Sequence, residues 1–303
     1  MSSSQVSARG AARLGLLQIC LAAVLWGTGG LAVQLIRRRV PMSVLTISAY
    51  RMVIAAAVLL TLLVLARRLG RRHRLPLTPR VVLVGLATGA YQALYFAAVV
   101  AVGVTVATVI SLALAPVLLT VAEAVHDRRR PSVRHTGGLV AAIAGLLLVS
   151  TAAAQADTGP HPWWGVLLAV ASGTAYAGAT AAGQSLTATA HPLAFTTSVT
   201  CVGALALAPL GLWGARGPAP VWTGDPVVLL LLGYLGAATM ALAYGLFYAG
   251  LRVTRGSAAT VASLLEPVTA ALAAVVVLGE PLAVRGVLGT ALILLAIVGL
   301  ALT

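Results

Sequence analysis

Hydrophobic residues fill most of this chain in runs of about 20, and short polar connectors rich in proline, glycine and arginine separate the runs. A run of this length predicts a helix that crosses a bilayer, because about 20 residues at roughly 1.5 Å each span the hydrocarbon core. Several connectors have only a few residues, so neighbouring helices are predicted to be antiparallel. The ten predicted spans are residues 14–36, 43–66, 81–101, 105–125, 136–153, 164–186, 193–214, 227–250, 257–278 and 286–302.

The composition supports an all-α integral membrane fold. Of 303 residues, 60% are hydrophobic and 9% are charged, whereas soluble domains carry about 25% charged residues. The first apolar run, Leu14 to Ile36, is longer than a signal-peptide core and ends in three arginines, so we expect it to be retained as the first helix. The connectors leave no room for a soluble domain.

Arginine supplies every basic residue of this chain apart from the histidines, and its distribution predicts the orientation. The formal net charge is +14, but the arginines cluster between apolar runs, which favours membrane orientation over nucleic-acid binding. With a cytoplasmic N-terminus, 14 arginines fall in inside segments and 5 in outside segments, with the triplet 37–39 as the local exception. We therefore expect a plasma-membrane protein with both termini in the cytoplasm. Arginine without lysine in an alanine-rich chain is typical of a high-GC bacterium.

The two halves of the chain align with each other at an offset of about 150 residues. The informative pairs are Gly15 with Gly165, Trp26 with Tyr176, Gln34 with Gln184, Phe96 with Phe247, Pro116 with Pro267, Arg134 with Arg285 and Gly138 with Gly289. Each half holds five spans, an odd number, so the second half must be inverted relative to the first. Inverted five-helix repeats are typical of transporters, with the substrate site near the midplane. The predicted units are a cytoplasmic tail at 1–13 and repeats at 14–153 and 164–302.

A carboxylate and a proline interrupt the ninth span in the stretch "LLEPV". Glu266 lies about ten residues into the span, near the middle of the bilayer, where an ionised carboxylate is costly unless it is paired or wetted. Pro267 has no N–H to donate, and its ring clashes with the carbonyl oxygen of Ser263. We therefore expect a helix kink there, and likewise at Pro116 in the first half. Two interpretations are open: Glu266 binds substrate or a proton in a cavity, or it is a protonated residue capping backbone groups.

Arg51 is the second charged candidate, in the second span. Its guanidinium can bind a substrate carboxylate through two hydrogen bonds, or it can pair with Glu266. A third interpretation is that the span begins near Arg51 and the side chain reaches the outer interface.

Aromatic residues and two amides complete the candidate binding site. Aromatic residues usually gather at the membrane interfaces, so a set inside the spans can line a cavity. Gln34 and Gln184 occupy equivalent repeat positions, and buried amides need hydrogen-bond partners on another helix or on a ligand. The aromatic candidates are Trp26, Tyr91, Tyr95, Tyr176, Tyr244 and Tyr248.

Neither a metal site nor a cofactor is expected. Cys20 and Cys201 both fall in apolar runs, so no disulfide is expected either, and the five histidines fall in connectors without metal-ligand spacing. The chain also has no phosphate-binding P-loop, which disfavours transport driven by ATP through this chain alone.

These features resemble the drug/metabolite transporter superfamily, EamA type, over about residues 14–302. The matching segments are "LWGTGG", "YRMVIAA", "LLEPVTAALAAVVVLGEPL" and "RGVLG". The first half departs from the pattern, since Ala115 stands where the second half has Glu266. The resemblance implies ten helices, a cytoplasmic N-terminus and transport of amino acids, other small metabolites or drugs, usually outward.

Together these observations predict a secondary active transporter rather than an enzyme. A membrane-embedded lipid- or metabolite-modifying enzyme is the alternative, but it would need reactive side chains clustered at one membrane face, and the aspartates are scattered over different connectors. The expected partners are the lipid bilayer and a small-molecule substrate, with or without a coupled proton. We expect a monomer or a homodimer that binds no nucleic acid.

Overall fold

The structure is a computed structural model that describes residues 3–70, 74–152, 161–213, 219–278 and 283–301, and these residues are almost entirely helical. The helices are α1 Ser3–Arg39, α2 Val44–Arg68, α3 Pro79–Val102, α4 Val104–Asp127, α5 Val133–Ala152, α6 Pro162–Thr187, α7 Pro192–Trp213, α8 Pro226–Gly236, α9 Ala243–Leu251, α10 Gly256–Ser263, α11 Leu265–Leu278 and α12 Val284–Ala301. A π-helical segment, Ala237–Leu242, joins α8 to α9.

The predicted all-α membrane fold is confirmed. Within the described ranges, nine continuous helical stretches are long and apolar enough to cross a bilayer, and Val284–Gly299 is a shorter apolar helix. One crossing consists of α8, the π-helical segment and α9, and another of α10 and α11, so the helices account for ten crossings. The segment predicted as a tail is already helical from Ser3, whereas the predicted repeat ends at 153 and 302 lie outside the described residues.

The connectors begin helices in the way their sequences suggest. Four helices, α3, α6, α7 and α8, start with a proline, which needs no hydrogen-bond partner for its nitrogen at that position. Asp225 precedes α8 and accepts hydrogen bonds from the backbone N–H groups of Val227 at 2.8 Å and Val228 at 3.2 Å. The bonds from Val228 and Val227, together with the Arg39 guanidinium, lower the pKa of the Asp225 carboxyl.

The two halves make equivalent helix contacts. Gly15 in α1 lies against Val253 at the end of α9, so closely that a Cβ on Gly15 would overlap the valine. Gly165 in α6 lies in the same way against Val102 at the end of α3. In the alignment of the halves, Gly165 is the counterpart of Gly15, and Val253 is the counterpart of Val102. The contacts therefore follow the repeat detected in the sequence.

A second pair of contacts obeys the same relation. Gly85 in α3 packs against Val202 in α7, and Gly236 in α8 packs against Ile54 in α2. Gly236 is the repeat counterpart of Gly85, while Val202 lies within one helical turn of the counterpart of Ile54. Each glycine allows two backbones to approach where a larger residue would force them apart. Together the two sets of contacts relate helices α1–α5 to helices α6–α12 by a pseudo-two-fold axis.

Two crossings of the second half are interrupted, and both interruptions lie in mid-crossing. The π-helical segment Ala237–Leu242 interrupts the eighth crossing, and Leu264 separates α10 from α11 in the ninth. The corresponding crossings of the first half, α3 and α4, are each one helix, and α4 continues through the buried Pro116. Single turns of π-helix occur often at functional sites. The irregular backbone near the middle of the crossings therefore belongs to the second half.

Candidate functional site

Four of the predicted tyrosines line one small central pocket. Tyr91 of α3 stacks on Tyr176 of α6 with ring centroids 5.0 Å apart, and Tyr244 lies 5.9 Å from Tyr248 on α9. The space open to a water-sized molecule is about 10 Å³, which is hardly enough for one water. The pocket is therefore nearly closed in this conformation. Its other lining residues are Thr88, Ala179, Thr180 and Phe247.

Trp26 extends the aromatic wall from α1. Its ring lies 5.2 Å from that of Tyr244, edge to face, and 5.4 Å from that of Phe247. The Nε1–H of Trp26 is buried and has no hydrogen-bond partner among the residues that the structure describes. A buried donor without a partner is costly, by about 1–3 kcal/mol. The indole is therefore ready to donate to a polar group that enters from the centre.

The tyrosine hydroxyls divide into bonded and unbonded groups. Tyr176 donates to Ser263 Oγ at 3.1 Å, and the hydroxyls of Tyr95 and Thr108 are 2.8 Å apart. Tyr91 and Tyr244, in contrast, make no hydroxyl hydrogen bond to any residue in the described ranges, although both face the pocket. Bonded hydroxyls fix the wall in place, and these two remain available to a ligand.

Glu266 is the second residue of α11 and lies next to this cluster. Its side chain is half-buried, and its carboxylate accepts no hydrogen bond from the described part of the chain. It lies within electrostatic range of Arg51 and of the tyrosines Tyr91 and Tyr176. A carboxylate in the first turn of a helix is favoured by the positive end of the helix dipole. The Glu266 carboxylate is thus stabilised electrostatically, and its oxygens can still accept hydrogen bonds.

The helix break explains how Glu266 comes to face the centre. Leu264 ends α10 and the chain resumes as α11 at Leu265, so Pro267 occupies the first turn of the new helix. A proline is tolerated in a first turn because the N–H it lacks would have no partner there. The missing bond also leaves the Ser263 carbonyl without its usual helical donor. The Glu266-Pro267 pair therefore begins a helix near mid-membrane, as half-helices do in transporters.

Arg51 approaches the same region from α2. Its Nη2 donates to Thr239 Oγ1 at 3.3 Å and to Met240 Sδ at 3.5 Å, both in the π-helical segment. Its Nε–H is buried and finds no hydrogen-bond partner in the described ranges. Because Thr239 lies near the middle of the Pro226–Leu251 crossing, the guanidinium sits within the protein at depth and does not reach the outer interface.

Arg51 and Glu266 do not form an ion pair with each other. In the described part of the chain, the direct ion pairs join Arg39 to Asp225 at 3.4 Å and Arg255 to Asp127 at 2.8 Å. The Arg51 guanidinium and the Glu266 carboxyl group therefore lie close enough to interact but without direct contact. Such an arrangement is complementary to a ligand that carries both charges.

Eight of the ten predicted binding residues gather here, and the two glutamines do not. Gln34 is exposed near the end of α1. Gln184, at the end of α6, donates from Nε2 to the carbonyl of Thr254 at 3.3 Å and accepts from the N–H of Gly256 at 3.2 Å. The sequence reasoning missed the hydroxyls of Thr88 and Ser263. Small hydroxyl residues are common in membrane helices, so no sequence signal distinguished these two.

A second, larger pocket opens at the membrane face that carries the α4–α5 connector. It has a volume of about 600 Å³ and lies beside the ends of α4 and α10. Among the residues that the structure describes, no three His, Cys, Asp or Glu side chains come together to hold a metal ion. The ionisable residues lining this pocket are Glu123, Asp127, Arg129, Arg130, His135 and Arg255.

Comparisons with known proteins agree with this architecture. The profile of the EamA-like transporter family matches residues 13–151 and again 163–302. The chain is 31% identical over 283 residues to the uncharacterized transporter YwfM of Bacillus subtilis, covering 93% of this chain and 91% of that protein. It is 26% identical over 280 residues to an uncharacterized transporter of Archaeoglobus fulgidus, covering 92% and 95%. A solved crystal structure, 20% identical, superposes with a TM-score of 0.77 over 95% of this chain and 97% of that one.

Proposed function

Because the chain belongs to the EamA-like transporter family, we propose that it is a secondary active exporter of amino acids or related small metabolites and drugs. A multi-pass membrane transporter implies a small-molecule substrate and the bilayer as partners. The proposed location is the plasma membrane of a bacterium, with both termini in the cytoplasm, as the arginine distribution favours. Export rather than uptake follows the family resemblance.

The proposal rests on Arg51 and Glu266, which lie within electrostatic range of each other without forming an ion pair. Within the described residues, the buried Nε–H of Arg51 has no hydrogen-bond partner, and the Glu266 carboxylate accepts no hydrogen bond. A zwitterionic amino acid supplies the missing partners, with its carboxylate at Arg51 and its ammonium group at Glu266. Charge-assisted hydrogen bonds of this kind are about twice as strong as neutral ones.

The aromatic wall supports the same substrate class and extends it to cations. Trp26 packs on Tyr244, and Glu266 lies within electrostatic range of Tyr91 and Tyr244, which line the central pocket. Aromatic rings attract ammonium groups by about 0.5–2 kcal/mol each. An amphipathic cationic drug would engage the rings and Glu266 without needing Arg51. Cationic drugs are therefore the second candidate substrate class.

Alternating access is the proposed mechanism, and Glu266 is its proposed substrate- or proton-binding group. The pseudo-two-fold relation of the two halves supports rigid-body movement of one half against the other around a central site. The closed central pocket supports a cycle in which the substrate is enclosed before it is released. Pro267 would shape the moving element, because it begins the helix that carries Glu266.

The test is efflux from proteoliposomes that contain purified protein and a panel of loaded compounds, with and without an imposed proton gradient. The panel holds zwitterionic amino acids, their decarboxylated amines, their N-acetyl derivatives and sugar phosphates. We expect amino acids and amines to move, and N-acetyl derivatives to stay because they lack the ammonium group that Glu266 binds. Movement of anions alone would overturn the proposal.

A further inference from the structure

Side chains from two other helices cap the start of α10. The Gln184 carboxamide, from α6, accepts from the N–H of Gly256 at 3.2 Å and donates to the carbonyl of Thr254 at 3.3 Å. Glu123, from α4, accepts from the N–H of Ser257 at 2.9 Å and from its hydroxyl at 2.5 Å. We name these contacts the α10 latch.

The α10 latch holds three helices together because it satisfies groups that a helix cannot satisfy itself. The first N–H groups of any helix lack a partner within the helix. Here the N–H groups of Gly256 and Ser257 are bonded by α6 and α4, so moving α10 away from either helix would leave those donors unpaired. The nearby Arg255–Asp127 ion pair is more exposed and adds little.

The repeat relation identifies an equivalent position at the opposite end of the molecule, where this contact is absent from the described residues. In the alignment of the halves, Gln184 corresponds to Gln34, and Thr254 and Gly256 correspond to Gly103 and Thr105. Gln34 is exposed, and in the described part of the chain no side chain accepts a hydrogen bond from the first N–H groups of α4. One end of the protein carries the α10 latch, and the other end carries the equivalent glutamine and backbone groups without the contact.

We propose that Gln184 and Gln34 are positioning residues that exchange roles during transport. In the conformation described, Gln184 caps α10. In the opposite conformation, Gln34 caps α4, accepting from the Thr105 N–H and donating to the Gly103 carbonyl, while Gln184 releases α10. The inference rests on the proposed alternating-access cycle, and it assigns to the two glutamines the closing of opposite faces.

The exchange keeps the free-energy difference between the two conformations small, since the same kind of cap is lost at one face and gained at the other. Glu123 breaks the symmetry, because its repeat counterpart is Ala274, which cannot accept a hydrogen bond through its side chain. The latched conformation therefore has an additional carboxylate cap. We infer that the conformation closed at α10 is the resting state.

The test measures closure of the distant face without any substrate. In a background where Cys20→Ser and Cys201→Ala remove both cysteines, reporter cysteines are introduced as Val106→Cys and Ala274→Cys. These positions correspond to Ser257 and Glu123, so they should meet only when the face opposite α10 closes. Cross-linking of the pair by a short bis-maleimide is measured in purified protein, with gel filtration as the check of folding.

Gln184→Ala should raise reporter cross-linking by about five- to tenfold, the effect of losing roughly one net hydrogen bond from the α10 latch. Gln34→Ala should lower cross-linking below that of the parent, and it should reverse the increase when combined with Gln184→Ala. Ser185→Ala is the matched control, because the Ser185 hydroxyl is exposed and bonds only the carbonyl of Ala182 in its own helix. Cross-linking should not change in this control.

Glu123→Gln is the second latch variant, in case Gln184→Ala does not fold. It should also raise cross-linking, since an amide cannot accept two hydrogen bonds through two oxygens. Equal effects of the two glutamine variants, or no effect of Gln34→Ala on the raised level, would overturn the exchange. The two glutamine variants could shift cross-linking in opposite directions in a protein that moves none of the proposed substrates. That result would support the exchange and refute only the proposed substrate class.

Discussion

Replacing Arg51 by methionine separates substrate binding from stability. Arg51 donates to Thr239 Oγ1 at 3.3 Å and to Met240 Sδ at 3.5 Å, which are long bonds. Its buried Nε–H has no hydrogen-bond partner in the part of the chain that the structure describes, at a cost of about 1–3 kcal/mol. The free energy gained from the two long hydrogen bonds is nearly cancelled by the cost of the unpartnered Nε–H. Methionine fills most of the same space without a charge. We therefore expect Arg51→Met to change the free energy of unfolding by no more than about 1.5 kcal/mol.

The same substitution should strongly weaken binding of a substrate carboxylate. Loss of two charge-assisted hydrogen bonds costs about 3–6 kcal/mol, or roughly 150- to 20,000-fold in affinity. The assay compares an amino acid with its decarboxylated amine as competitors in an exchange measurement. The parent should prefer the amino acid, and Arg51→Met should bind the two compounds about equally.

Two measurements complete this test. The midpoint temperature of thermal unfolding of Arg51→Met should change by no more than about 5 °C, which corresponds to the free-energy limit above. Arg39→Met is the matched control, since Arg39 is exposed and pairs with Asp225 at the membrane face. This control should retain the preference for the amino acid. A large loss of thermal stability in Arg51→Met with an unchanged preference would show that Arg51 is structural and that its proposed role is incorrect.

Three further predictions concern the helix break, the packing and the orientation. Pro267→Ala restores a backbone donor to α11 and should slow turnover more than it weakens binding. The maximal rate of exchange should therefore fall by a larger factor than the half-saturation concentration rises. Gly15→Val overlaps Val253 and should destabilise the protein by about 1–3 kcal/mol in thermal unfolding, whereas Gly10→Val, in open space, should not. An impermeant thiol reagent applied to intact cells should label Gly224→Cys and leave Asp127→Cys unlabelled, and the reverse result would invert the proposed orientation.

The fold and most of the central cluster were predictable from sequence because both depend on strong signals. A run of about 20 apolar residues can satisfy its backbone in a bilayer only as a helix, so the crossings followed from hydropathy. Ionisable residues inside such runs are rare enough that Glu266 and Arg51 stood out. The repeat then predicted a central site between the halves, and the structure brings both residues to it.

The remaining features depend on packing that leaves no comparable mark. The π-helical segment Ala237–Leu242 has an ordinary apolar composition, yet it presents Thr239 and Met240 to Arg51. The repeat places Gln34 and Gln184 at equivalent positions, but hydropathy does not reveal which one caps a neighbouring helix. Gln34 is exposed, whereas Gln184 bonds the backbone of Thr254 and Gly256.

Transport by Glu266→Gln in proteoliposomes tests the central claim most directly. The amide keeps the size and hydrogen bonding of the carboxyl group but removes its charge and its titration. Exchange without a gradient and accumulation driven by a proton gradient are measured side by side, after gel filtration confirms the fold. Loss of both activities is expected if Glu266 binds the substrate ammonium group, and loss of accumulation alone is expected if it carries the coupled proton. Full activity in both modes would contradict the account, because Glu266 would then serve only to pack α11.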